Sequence, residues 1–120
     1  MRTHRDLEAW KLGIELADLA YKTTAGFPPE ERFGLTSQIR RAAVSVPTNI
    51  AEGAGRETTR EFRRFLFIAR GSLAEFETLV IIASNAGVLT GQTKDSLLAA
   101  RDETARTLQG LINSLEPLPR

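Results

Sequence analysis

Gln38–Ile39–Arg40–Arg41–Ala42–Ala43–Val44–Ser45–Val46–Pro47–Thr48–Asn49–Ile50–Ala51–Glu52–Gly53 reads as one amphipathic helix. At about 100° per residue, Leu35, Ile39, Ala42, Val46 and Ile50 fall on a single face, which must meet a core. Along the flank of that face run Gln38, Arg41, Ser45, Thr48, Asn49 and Glu52. Polar groups that close to a core must find partners or lose roughly 1–3 kcal/mol each to desolvation. The expectation is a buried polar network of Gln38, Arg41, Ser45, Asn49, Glu52 and, from a facing helix, Glu75. In it Arg41 or Arg40 would pair with Glu75 or Glu52 across the bundle. Such a pair fixes register more readily than it adds stability.

Outward from this stretch the chain divides into four helical segments, at about residues 6–25, 29–53, 59–86 and 92–115. Asp6 is a candidate N-cap for the first, and Gly26 with Phe27–Pro28–Pro29 ends it. Pro29 suits the first turn of the second, and Pro47 inside that helix removes a ladder bond and predicts a kink. Gly53–Ala54–Gly55 terminates it. Thr58 or Thr59, with Glu61, opens the third, and Gly87 closes it. Thr90–Gly91–Gln92 leads into the fourth, which stops ahead of Pro117 and Pro119. Loops this short favour antiparallel neighbours. The expected architecture is all-α: residues 1–120 as one domain, an up-down-up-down four-helix bundle with a kinked second helix.

Two helices carry more apolar surface than a lone bundle needs. In the first, Leu7, Trp10, Ile14, Ala17 and Tyr21 form one stripe, and Leu12, Leu16 and Leu19 form another nearly opposite. Glu8, Lys11, Glu15, Asp18 and Lys22 are left an arc of roughly 80°. The second stripe is therefore expected to be a subunit interface. In the third, Phe62, Phe65, Ala69, Leu73, Phe76, Val80 and Ala83 make a core stripe. The far side holds Phe67, Gly71, Ala74 and Ile81, small enough in its lower part for another helix to approach closely.

The net charge of +1 conceals an uneven distribution. Residues 32–70 carry eight arginines against Glu52, Glu57 and Glu61, while the flanking segments are each slightly acidic. Arginine's planar fork suits phosphate and carboxylate recognition. Arg56, Arg60, Arg63 and Arg64 cluster at the start of the third helix, with Arg40 and Arg70 as secondary members, so this block is the candidate nucleic-acid contact. Phe67 among those arginines could stack a base, or simply pack in the subunit interface.

Catalytic and metal chemistry have little to draw on. With no cysteine there is neither a disulfide nor a thiolate site, and His4 is the sole histidine, in the N-terminal segment. Ser45 and Ser72 lack a histidine to activate them. Glu52, Glu75 and Glu77 are the central carboxylates, and no Glu-x-x-His pair accompanies them. Gly53–Ala54–Gly55–Arg56 is too loose for a phosphate loop. No catalytic residue, metal or cofactor is assigned, and the chain is not expected to be an enzyme. No apolar run suggests a signal peptide or a membrane span, so a cytoplasmic location is expected.

The Gln38–Gly53 string, together with Phe65–Leu66–Phe67–Ile68–Ala69–Arg70–Gly71–Ser72–Leu73–Ala74–Glu75–Phe76–Glu77–Thr78, resembles a bacterial family. It is the family of four-helix bundle proteins encoded by intervening sequences in large-subunit ribosomal RNA genes. Asp6–Leu7–Glu8–Ala9–Trp10, the Phe27–Pro28 loop and Phe33–Gly34–Leu35 belong to the same resemblance, which spans about Leu7 to Leu115. It implies the four-helix fold and a homopentameric ring, without a settled biochemical role. The chain is also similar to the accessory variability protein of diversity-generating retroelements, a pentameric basic bundle that binds nucleic acid and a reverse transcriptase. By that analogy the leading expectation is weak RNA or DNA binding by a self-associating bundle. The alternative is a ring that scaffolds a protein partner.

Overall fold

The computed structural model describes residues 3–115, and four α-helices account for most of them: α1 (Glu8–Thr24), α2 (Leu35–Ala54), α3 (Thr59–Asn85) and α4 (Gly91–Ser114). Pro117 and Pro119 lie outside the described residues. Helices adjacent in the chain pack on one another, and α1 also packs on α4, so the four form a closed square in which α1 faces α3 only diagonally. Cross-helix contacts run in opposite senses along each hairpin: Ser45 meets Ser72 while Gly53 lies against Phe62 and Phe65. The bundle measures 51 × 21 × 19 Å.

The helix boundaries follow local chemistry. A 3-10 turn at His4–Asp6 precedes α1, and the Asp6 carboxylate accepts from Thr3 N at 3.0 Å; Asp6 therefore caps that turn and not α1, which starts after Leu7. The second helix starts later than expected. Pro29–Glu31 forms its own 3-10 turn, and Gly34, at φ −110° and ψ −112°, breaks the chain before Leu35. Glu31 Oε1 then accepts from Leu35 N at 3.3 Å and serves the new helix end. Thr58 caps α3 by accepting from Glu61 N at 3.1 Å, and Thr90 caps α4 by accepting from Thr93 N at 3.3 Å. α2 remains helical through Pro47.

Two glycines set the helix spacing. A Cβ on Gly13 would stand 3.2 Å from Pro47 Cβ, so α1 crosses α2 where a missing side chain meets a ring. An interior proline costs a helix about 3 kcal/mol, and here its ring fills the seam that the glycine opens. At Gly53 a Cβ would come within 2.7 Å of Phe65 Cβ. Gly53 is thus a buried packing residue inside α2, not its terminator; Gly55 caps the helix.

The core reverses the expectation for α1. Its buried line is Ala9, Gly13, Leu16, Ala20 and Thr24, which runs between the two apolar stripes read from the sequence. Leu16 is fully buried and so cannot belong to a subunit interface. Leu12 and Leu19 are half-buried on the flank toward α4. Ile14 and Tyr21, expected in the core, are exposed. The physical reason is position: a corner helix in a square bundle touches two neighbours, and small residues along its centre let both flanks come close. α3 follows most of its expected stripe: Ala69, Leu73, Phe76, Val80 and Ala83 are buried, whereas Phe62 and Phe65 are half-buried and Leu66 and Leu79, outside the expected stripe, join the core.

Candidate functional site

The polar flank of α2 holds a small network only. Ser45 Oγ and Ser72 Oγ lie 2.8 Å apart across the α2–α3 seam, and Asn49 Nδ2 donates to Ser45 Oγ at 2.9 Å and to Ser45 O at 2.8 Å. Ser72 also donates to Ile68 O at 3.2 Å, so each hydroxyl has a partner. Gln38, Arg41, Glu52 and Glu75 are exposed. The expected pair between Arg41 or Arg40 and Glu75 or Glu52 is not formed among the described residues. Glu52 pairs instead with Arg56 at 2.8 Å, one helical turn on.

The arginines fall into two groups. Arg56, Arg60, Arg63, Arg64 and Arg70 gather at the N-terminal half of α3 and the loop before it. Arg60 and Arg64 are exposed neighbours one turn apart, and Arg64 stands 3.6 Å from Glu61. Phe65 carries two guanidiniums over its ring, Arg56 at 4.7 Å and Arg64 at 5.4 Å. Phe67 likewise carries Arg70 at 4.5 Å and Arg63 at 5.5 Å. Arg70 also donates to Gln109 Oε1 at 3.2 Å, tying α3 to α4. Arg63 Nε is shielded from solvent and has no hydrogen-bond partner among the described residues. Such an orphan costs about 1–3 kcal/mol.

Arg40 does not join this group. It lies sixteen residues before Arg56, about 24 Å along the bundle by helix rise. Its Nε donates to Thr24 Oγ1 at 2.8 Å, and its guanidinium sits 4.4 Å from the centre of the Tyr21 ring. The sequence patch therefore splits, with Arg40 and Arg41 at one end and the α3 arginines at the other.

Beyond the arginines, the outer face of α3 presents Phe67, Ile68, Ile81 and Ile82, each 38–47% exposed, with exposed Gly71 and Ala74 between them. Of the expected interface residues, Phe67, Gly71, Ala74 and Ile81 lie together on this open face. Ile68 and Ile82 complete the row and were not singled out in the sequence. Their spacing to Glu75 and Arg64 placed them on a polar flank, which masked them. Arg101 was also missed. Half-buried in α4, it donates from Nε to Leu73 O at 3.2 Å and lies 3.0 Å from Asp102 and 4.0 Å from Glu77. Its place between Leu97, Thr104 and Leu108 on one helical stripe was the available signal.

Among the described residues no three His, Asp or Glu side chains converge as metal ligands would, and no helix is long and apolar enough to cross a membrane. The geometry is that of a four-helix bundle with an arginine-rich end and one open apolar helix face. The chain belongs to the 23S rRNA-intervening sequence protein family, whose model matches residues 5–110. No curated protein matches it. It is similar to a crystal structure of a protein of unknown function from the S23 ribosomal protein family of Bacteroides thetaiotaomicron, with a TM-score of 0.78. That match has 21% identity and covers 87% of this chain and 97% of the other, a likeness of fold.

Proposed function

We propose that this protein is a non-enzymatic, cytoplasmic bundle that self-associates and binds RNA or DNA weakly through phosphate contacts. The outer face of α3 carries the reading, because one helix surface holds both halves of it. Its exposed isoleucines and small residues offer a second copy a close apolar approach, and the family resemblance supports a ring of five. Its first turns hold Arg60, Arg63 and Arg64 beside Arg56, with free backbone amides and the positive end of the helix dipole at the same place. Arg40 and Arg70 are not principal contacts of this patch, since Arg40 stands at the far end of the bundle and Gln109 already engages Arg70. Five arginines against three glutamates in residues 52–70 make a modest patch. Repetition around a ring raises its avidity.

A second reading, a ring that scaffolds another polypeptide, draws on Phe67. Two guanidiniums already lie over that ring, which leaves it poorly placed to stack a base. Salt separates the readings. Fluorescence anisotropy with single-stranded RNA should show binding at low salt that is indifferent to sequence and weakens steeply toward physiological salt. Changing Arg60, Arg63 and Arg64 together to glutamate should abolish it. Fewer changes should flatten the salt dependence by about one unit of slope for each phosphate no longer held. Equal binding by the folded, oligomeric triple variant, or none by the parent at low salt, transfers the account to the scaffold.

A further inference from the structure

At the end of the bundle away from the α3 arginines, an open groove of about 410 Å³ lies between the last turns of α1 and the first turns of α2. Tyr21, Arg32, Phe33, Ser37, Arg40 and Arg41 line it, and no acidic residue does. None of its three arginines is ion-paired among the described residues, whereas Arg56, Arg64 and Arg101 each hold a carboxylate. Arg40 is held in place. Thr24 gives its own proton to Ala20 O at 2.8 Å, which leaves its oxygen to accept from Arg40 Nε, while Tyr21 supports the guanidinium from below. A guanidinium fixed through Nε and one ring face presents its remaining donors with little entropy left to lose. The first turn of α2 is capped by Glu31, which accepts from Leu35 N at 3.3 Å and does not line the groove. Phe33 stands at the rim, 87% exposed, with Arg32 at 5.3 Å from its ring.

We infer that this groove binds a terminal phosphate monoester attached to an aromatic base, that is, a nucleotide. The phosphate is held by Arg40 and Arg41 and the base is stacked on Phe33. Several unpaired guanidiniums match a dianionic monoester better than the single charge of an internal diester. An acidic peptide would satisfy the arginines but leave the exposed ring unused, so the nucleotide is favoured. The ligand can be a free nucleotide or the 5′-phosphorylated end of a strand, since both carry the same group. The site stands apart from the α3 patch and does not depend on it.

Calorimetric titration of the full chain with adenosine 5′-monophosphate, inorganic phosphate and adenosine tests this. The monophosphate should bind roughly tenfold more tightly than inorganic phosphate, and adenosine should not saturate over the same range. Arg41→Gln should weaken the monophosphate and inorganic phosphate alike by roughly tenfold. Phe33→Ala should reduce the monophosphate to the level of inorganic phosphate and leave the latter unchanged. Both side chains are exposed, so circular dichroism should show the parent's helicity in each variant. A short 5′-phosphorylated oligoadenylate that binds more tightly than the mononucleotide identifies a strand end as the ligand. Equal or weaker binding identifies the free nucleotide. The triple glutamate variant at Arg60, Arg63 and Arg64 should bind the monophosphate as the parent does. Unchanged binding in Arg41→Gln, adenosine as tight as its monophosphate, loss of binding in the triple variant, or a glutamate-rich peptide that binds more tightly through Arg41 would each overturn the assignment.

Discussion

α1 and α3 look alike in sequence, each with apolar residues around more than half its circumference, yet the fold uses them differently. On α1 the central line is mostly small, with Ala9, Gly13 and Ala20, so α2 and α4 close in and half-bury Trp10, Leu12, Ala17 and Leu19, while Ile14 and Tyr21 stay exposed. On α3 the buried line carries larger residues, with Leu66, Leu73, Phe76 and Val80 set into the core. Phe67, Ile68, Ile81 and Ile82 are left outside. A second apolar stripe is therefore no evidence of an interface until the size of the residues between the stripes is considered.

Leu16→Ala gives the largest expected effect. It empties a fully buried site on α1 and should cost about 2–5 kcal/mol in urea denaturation. Ile81→Ala on α3 should leave the subunit's own stability within about 0.5 kcal/mol. Next come the glycines. Gly53→Ala forces a Cβ against Phe65 and should destabilise by about 1–3 kcal/mol. Gly71→Ala, with nothing within 4 Å, should stabilise the subunit by roughly 0.5–1 kcal/mol. The same added methyl should weaken association if a partner helix approaches there, which a dilution series would read. Ser72→Ala breaks the link to Ser45 and should cost about 0.5–1.5 kcal/mol. Arg41→Ala should sit at the bottom of the scale, within about 0.5 kcal/mol. A melting temperature for it as low as that of Gly53→Ala would mean Arg41 is buried after all.

The legible and illegible parts of the chain divide along physical lines. The four helices could be read because they depend on periodicity, and the start of α3 could be narrowed to Thr58 or Thr59 because Glu61 follows within one turn. The core of α3 could be read for the same reason. The start of α2 could not, since it rests on Gly34 and on a hydrogen bond from Leu35 to Glu31 that no periodicity reveals. Gly53 read as a stop because its neighbour Phe65 is distant in sequence. The polar stripe of α2 was half legible. Ser45 and Asn49 are partnered, but whether Arg41 and Glu52 face water depends on how far α3 stands off the flank. The arginines at the start of α3 stayed together because one helix carries them, whereas Arg40 separated because helix length, invisible in a charge count, places it at the far end.

The outer face of α3 as the surface of self-association is tested most directly by molar mass in solution. Light scattering at micromolar concentration should return an oligomer for the parent. Changing Ile81 and Ile82 together to glutamate should return a monomer with the parent's helicity, because both side chains lie outside the core. A monomeric parent, or a double variant whose mass matches the parent's, would contradict the account.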